Sequence, residues 1–409
     1  MSKNQKIAVA AWLLTAVYYF YQYSLRSAPG VMIPQLSEAF GLSALGVASI
    51  VGMFYYGYSP FSLVAGASMD RFGPKIMVPI GAFLVGIGAL LFGSGSEAMA
   101  NIGRFLQGAG GVFALVGAVY IASRYFSPTK AATLIGATQM FGMAGGSAGQ
   151  FVVGPIISDG LAWNTFWTIM GFVGIAIGVL LFLLLPKEEK KAEEGNFVKN
   201  TLSAFKTVFK NPQSIYCGII AGLLFIPTTI FDMIWGVRFL QDSFELEYGT
   251  AVMRSASVPV GWIIGCPLLG WISDKIGRRK PVIIGGGLVL LGCLALILFG
   301  PRDFFPPYLL GLVAGIGSGA AMLPYTVIKE ANPAQYSGTA TGVINFLNFT
   351  FSALLGPMFG WLLIKVSEGA DFTLSDYQTT FQPLLYGVAI AVALSFFILK
   401  ETGPAVRKV

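Results

Sequence analysis

The chain has 409 residues, 55% of them hydrophobic and only 11% charged, with a mean hydropathy of +0.72. A soluble protein of this length would need far more surface charge, so the composition describes a chain whose solvent is mostly lipid. There is no histidine, which removes the commonest metal ligand, and no Walker loop or nucleophile elbow, so no metal, cofactor or catalytic residue is expected.

Twelve apolar stretches are long enough to cross a bilayer core of about 30 Å, which takes roughly 20 residues each. They cover 7–35, 44–67, 76–93, 98–123, 131–157, 165–185, 214–240, 250–272, 281–299, 306–328, 339–364 and 382–399, with Gly300-Pro301-Arg302-Asp303 dividing the ninth from the tenth. The first is too long for a signal-peptide core and lacks a small-residue cleavage site, so it is expected to remain as span 1. The one long internal polar stretch, 186–212, opens with Lys187-Glu188-Glu189-Lys190-Lys191 and suits a solvated linker. Within it, Phe197 to Phe209 has the spacing of a short helix lying on the membrane surface. The expected architecture is an all-α membrane protein, with a six-helix bundle over 1–185, a cytoplasmic linker over 186–212 and a second six-helix bundle over 213–409.

The Lys/Arg bias of the loops orients the chain. Lys3, Lys6, Arg71, Lys75, Arg124, Lys130, the lysines from Lys187 to Lys210, Lys275, Arg278, Arg279, Lys280, Lys329, Lys400, Arg407 and Lys408 fall on one face, which is therefore cytoplasmic. The opposite loops carry Glu38, Glu97, Asp159, Asp242, Glu245, Glu247, Asp303, Glu368, Asp371 and Asp376. The net charge of +7 thus reflects topology and gives no reason to expect nucleic-acid binding. Both termini are expected in the cytoplasm, in a bacterial inner membrane, with the chain acting as a monomer. Cys217, Cys266 and Cys293 all lie inside spans and read as packing residues.

Two loops repeat one cluster: Gly66-x-x-x-Asp70-Arg71-x-Gly73-Pro74-Lys75 and Gly270-x-x-x-Asp274-Lys275-x-Gly277-Arg278-Arg279. Repetition at half-chain spacing, at corresponding hairpin tips, is the pattern of a duplicated transporter. The glycines let backbones approach and turn tightly, while Asp70 and Asp274 suit the orphan amides of a neighbouring helix N-terminus. Such contacts would form a conformational latch; alternatively the basic residues only enforce topology.

Charge inside a span is costly and marks a cavity or a partner. Arg26 lies in the outer part of span 1, Arg104 near the outer end of span 4, and Asp232, the one acid well inside any span, in the outer half of span 7. Arg104 and Gln107 share a helix face, which suits either bidentate recognition of an anion or bonding to carbonyls of neighbouring helices. Tyr19, Gln22 and Arg26 form one stripe of the aromatic span 1 and are its expected cavity face. Asp232 has three readings: an outer gate with Arg26, a proton-coupling carboxylate, or a local partner of Arg238. Gln139, Tyr325, Asn345 and Asn348 either line the cavity or bond helices together.

With these motifs the chain resembles the major facilitator superfamily over essentially its whole length, and Arg104-Phe105-Leu106-Gln107-Gly108-Ala109-Gly110 looks like that family's R-x-x-Q-G-x-G element. Ser27-Ala28-Pro29, Phe40-Gly41-Leu42-Ser43, Tyr56-Gly57-Tyr58 and Met69-Asp70-Arg71-Phe72-Gly73 look nearest the organic-anion symporter and phosphate-ester branches. Those branches often place a basic residue eight positions before the span 1 proline, where this chain has Tyr21, with its arginine at Arg26. The antiporter marker G-x-x-x-G-P is imperfect, because Gln150 stands four residues before Gly154-Pro155. The resemblance implies a secondary transporter working by alternating access, with symport of a small organic anion held by Arg104 and Arg26. The alternatives are a zwitterion carrier in which Asp232 meets an ammonium, an exporter of amphipathic compounds, or a receptor on the same scaffold.

Overall fold

The computed structural model describes residues 3–42, 44–187, 197–301, 307–367 and 372–406. Most of the charged linker run, with Ser43, Arg302, Asp303, Glu368, Asp371, Arg407 and Lys408, lies outside the described residues.

Among the described residues every regular element is helical. Ten helices are long and apolar enough to cross a membrane. Lys3–Ser27 and Ala44–Phe72, of 25 and 29 residues, complete the twelve as spans 1 and 2. Spans 3 to 6 are Pro74–Phe92, Glu97–Tyr125, Ala131–Phe151 and Trp163–Leu184. Span 7 runs over Pro212–Phe244, span 8 over Tyr248–Ile276, span 9 over Lys280–Phe299, span 10 over Tyr308–Glu330, span 11 over Ser337–Val366 and span 12 over Leu374–Phe397.

Two boundaries differ most from those read off the hydropathy. Span 1 stops at Ser27 rather than 35, because Ala28-Pro29-Gly30-Val31 tightens into a 3₁₀ turn before the short helix Ile33–Phe40. Span 12 begins at Leu374 rather than 382, because Thr373 and Asp376 form a reciprocal capping box that starts the helix in a polar segment. Tyr377 then donates to Asp242 at 2.7 Å, which satisfies a hydroxyl at a buried position.

The chain packs as two compact units. The first comprises Met1–Ser127, Phe141–Asn211 and Asn332–Phe346, and the second comprises Pro128–Met140, Pro212–Ala331 and Leu347–Val409. Each unit therefore contains the start of one helix from the other half of the sequence: span 11 in the first unit, span 5 in the second.

In the first unit, spans 2 and 4 touch backbone to backbone, since a Cβ on Gly108 would collide with the Phe54 carbonyl and one on Gly57 with the Phe105 carbonyl. Close approach through small residues is how membrane helices gain packing contacts without a hydrophobic driving force. The helix Phe197–Lys210 is amphipathic, burying Ala204 and Val208 and exposing Leu202, Lys206 and Lys210. In the second unit, span 7 winds as a π-helix over Pro227–Gly236. Pro227, which has no N–H to give, opens that stretch, and such distortions concentrate at functional sites. Cys217, Cys266 and Cys293 are buried free thiols.

Candidate functional site

The first unit gathers its polar groups around span 1. The run of tyrosines is directed to several neighbours. Tyr18 donates to the Gly110 carbonyl of span 4 at 2.9 Å, and Tyr21 to the Met170 carbonyl of span 6 at 2.6 Å. Tyr19 packs on Gly142 of span 5 and edge-on to Tyr23, with centroids 5.0 Å apart. Gln22 is buried against Gly111 and Phe54, and its amide meets no hydrogen-bond partner among the described residues. Tyr58 lies beside Tyr19 and Asn345, and Asn345 donates to Ser62 at 2.8 Å.

Arg26 sits among aromatics. Its guanidinium donates to the Tyr55 hydroxyl at 2.9 Å and lies 4.8, 5.5 and 4.9 Å from the ring centroids of Tyr23, Phe54 and Tyr55. The negative faces of these rings favour a cation without neutralising it. Arg104 is differently placed. Only 1% exposed, it donates to the Leu25 carbonyl at 3.1 Å, the Gln107 side chain at 2.7 Å and the carbonyls of Arg26 and Val51 at 3.4 Å. Of its two sequence readings, the geometry is the carbonyl-bonded one. Arg104 holds the backbone that carries Arg26.

In the second unit, Asp232 lies in the π-helical stretch and accepts from the Ser255 hydroxyl of span 8 at 3.0 Å. Arg238 pairs instead with Asp242, at 3.3 Å. Tyr325 and Asn348 bond each other at 3.1 Å, joining spans 10 and 11, and Gln139 is buried on span 5. The described residues hold no cluster of His, Cys, Asp and Glu that would bind a metal.

The two repeated loops each grip a helix start. Gly73, at φ 76°, begins span 3, and Gly277, at φ 73°, ends span 8; both are left-handed conformations that favour glycine. Asp70 accepts from the backbone amides of Gly338 and Thr339, at 2.7 and 2.6 Å, and from the Thr339 hydroxyl at 2.7 Å. One turn earlier, Gly66 lies against Gly338 and Gly342, so the absence of a side chain there admits the start of span 11. Asp274 accepts likewise from the Thr133 amide and hydroxyl, at 2.8 and 2.7 Å, and Gly270 lies against Ala132 at the start of span 5. A carboxylate there satisfies orphan amides and complements the helix dipole.

The basic residues divide unequally. Arg71 lies over Phe72, Lys275 over Trp271, and the Lys75 ammonium reaches the Leu183 carbonyl at 3.5 Å. Arg278, expected in the latch, is exposed; the left-handed turn at Gly277 points it outward and sends Arg279 inward. Arg279 is fully buried and bonds Asp274 at 2.7 Å, Glu330 at 2.8 and 3.2 Å, Ser273 at 3.0 Å and the Pro128 carbonyl at 3.3 Å. Burial alone would lower its pKa, but Glu330 and Asp274 outweigh that and raise it, so the group stays charged. The sequence reading missed Glu330 and Glu401, the latter accepting from the Arg279 amide at 2.6 Å. An acid at a span end otherwise rich in cations was the available signal.

A membrane-embedded helical carrier with a duplicated hairpin that meets a helix start, and an arginine held among aromatic rings, is the class these features define. The sequence model of the Major Facilitator Superfamily matches residues 13–357, and the chain belongs to that family. It is accordingly a secondary active transporter and not an enzyme. The hexuronate transporter of Bacillus subtilis (strain 168) is 23% identical, with 100% of this chain and 97% of that protein covered. The membrane sensor protein UhpC of Salmonella typhimurium is also 23% identical, with 89% and 86% covered. Among solved structures, the proton:xylose symporter XylE aligns with a TM-score of 0.75 at 16% identity, covering 98% of this chain and 97% of that one. That likeness establishes the fold.

Proposed function

We propose that the chain carries a small organic anion, with Arg26 as the charge that meets it. The observation that supports this most is the setting of Arg26: it lies against three aromatic rings, one of them the Tyr55 phenol to which it donates, while Arg104 bonds its carbonyl and Leu25's. A guanidinium matches a carboxylate or phosphate with paired N–H donors. Tyr19, Gln22 and Asn345 are its proposed companions. Gln139, Tyr325 and Asn348 are proposed substrate contacts within the second unit. Arg104 and Gln107 act by positioning. The relationship to a hexuronate transporter favours a sugar-derived acid over a zwitterion or an amphipathic export substrate.

Loop charges support cytoplasmic termini, and a bacterial inner membrane, a linker over 186–212 between two bundles of six spans and a monomeric state are proposed with them. In this reading the Asp70 and Asp274 contacts are latches that open and close with the transport cycle. Asp232 is the proposed coupling carboxylate, with an outer-gate role as its rival. Asp232→Asn should abolish pH-driven accumulation in proteoliposomes yet leave counterflow, since exchange of loaded carriers needs no net proton movement.

The test of the anion site is a binding screen by thermal shift against hexuronates, phosphate esters, aromatic acids and amino acids. Stabilisation by an acid that is lost in both Arg26→Ala and Arg26→Lys is the expected result. Equal binding in wild type and Arg26→Ala would remove Arg26 from the site. The similarity to a membrane sensor gives a second reading, a receptor. Binding without uptake or exchange of the same compound would establish it.

A further inference from the structure

Asp232 accepts from the Ser255 hydroxyl. It lines a cavity that lies wholly inside the second unit, walled by span 7 around the π-helical stretch, the first turns of span 8, the end of span 9 and the start of span 10. Most of the wall is apolar, with Phe231, Val258, Leu290 and Leu294 among its residues. Two opposite charges interrupt it. Asp232 and Arg254 both line the cavity, yet they form no ion pair with each other. Among the described residues Asp232 receives only the Ser255 hydroxyl, and the buried Nε of Arg254 has no partner, its guanidinium resting 6.0 Å from the Tyr308 ring. Gly236 keeps the approach open, because a Cβ there would sit 3.0 Å from the Ser255 hydroxyl and 3.1 Å from the Asp232 carboxylate.

A carboxylate and a guanidinium facing one apolar cavity without meeting are costly unless something bridges them. We infer that this cavity is a ligand site for a zwitterion with an apolar body, its ammonium on Asp232 and its carboxylate or phosphate on Arg254. The opposite assignment fails on charge. An ammonium offers three donors to one carboxylate, and Arg254 supplies donors to an anion. The apolar residues would cover a side chain or an acyl chain. Two sources share this chemistry, an apolar amino acid and the ethanolamine headgroup of a phospholipid. The site is separate from the proposed anion contact, since Arg26 belongs to the first unit and every lining residue belongs to the second. A bound ammonium would also compete with a proton for Asp232, so occupancy would modulate any coupling through that carboxylate.

The experiment is direct binding to the purified full chain in a maltoside detergent, measured by thermal shift and native mass spectrometry. Leucine and dodecylphosphoethanolamine are the two zwitterionic probes; dodecyl phosphate and dodecylammonium each carry one of the charges. At least one zwitterionic probe is expected to bind about tenfold tighter than either single-charge probe. Asp232→Asn and Arg254→Gln should each remove about that factor, whereas Arg26→Ala should leave binding unchanged. Leu294→Trp, which fills the cavity without touching the charges, should abolish binding; Leu294→Met controls for folding. Leucine binding alone identifies an amino-acid site, and amphiphile binding alone a lipid site. The inference is overturned if single-charge probes bind as well as zwitterions, if Leu294→Trp binds normally, or if Arg26→Ala is the variant that loses binding.

Discussion

The hairpin of residues 66–75 and the hairpin of residues 270–280 carry the same cluster and do the same local thing, yet the basic residue at one shared register is held differently in the two. Asp70 caps the start of span 11, accepting hydrogen bonds from Gly338 and Thr339. Asp274 caps the start of span 5 and is itself held by Arg279, which also binds Glu330. Lys75, which has the register of Arg279, reaches the Leu183 carbonyl at 3.5 Å and lies over the Phe182 ring at the surface. Duplication therefore preserved the acid that holds a helix start, while the scaffold behind it diverged.

The largest effect that separates the two hairpins should come from Arg279→Met. Asp274 and Glu330, with side chains 5% and 9% exposed, would lose the guanidinium they share. Removing one partner of a buried pair costs about 3–5 kcal/mol. Lys75→Met, at the equivalent surface position, should change stability by less than about 0.5 kcal/mol. Thermal unfolding in detergent measures both, and similar losses in the two variants would erase the asymmetry.

Next in size are the acids. Asp70→Asn keeps an acceptor oxygen and loses the charge at the helix start, an effect of about 0.3–2 kcal/mol. Asp274→Asn loses the same dipole contact and also the ion pair with Arg279, so its cost should be larger. Both should insert and fold while transport slows, measured as initial uptake into proteoliposomes. Normal rates in both variants would end the latch reading.

Hydropathy and loop charge were enough to read the twelve spans, because lipid imposes its length and polarity on every helix that crosses it. The Gly-x-x-x-Asp element was legible for a similar reason: a glycine and an acid one turn apart on a helix can serve only something that approaches that face closely. What stayed hidden depends on partners far along the chain. Arg278 and Arg279 are indistinguishable in sequence, and the choice falls to the Gly277 turn and to Glu330 and Glu401, 51 and 122 residues away. Arg104 was legible as a buried cation but not as a backbone clamp, since every residue has a carbonyl and the sequence cannot say which ones converge. The start of span 12 was missed because its polar first turns are satisfied by Thr373, Asp376 and Asp242, a compensation that hydropathy does not register.

The smallest separation concerns how span 9 and span 3 begin. Span 3 starts at Pro74 with no side-chain cap, and the proline removes one orphan donor by having no N–H. Span 9 starts at Lys280 and has a cap from the far end of the chain: Glu401 accepts from the Arg279 amide at 2.6 Å and the Lys280 amide at 3.2 Å. Thr402 beside it donates to Glu330 at 2.7 Å, which ties the tail to the same cluster that holds Arg279. Glu401→Gln keeps the acceptor geometry and removes the charge, so it should cost about 0.5–1 kcal/mol. Glu401→Ala removes the acceptor as well and should cost about 1–2 kcal/mol. If the tail acts through Glu330, the effects of Glu401→Ala and Thr402→Val should be non-additive with Glu330→Gln, because groups in one hydrogen-bond network couple. A double-mutant cycle on thermal unfolding decides the point: strict additivity would reduce the tail to an independent cap on span 9, and the second hairpin would owe its extra strength to Arg279 alone.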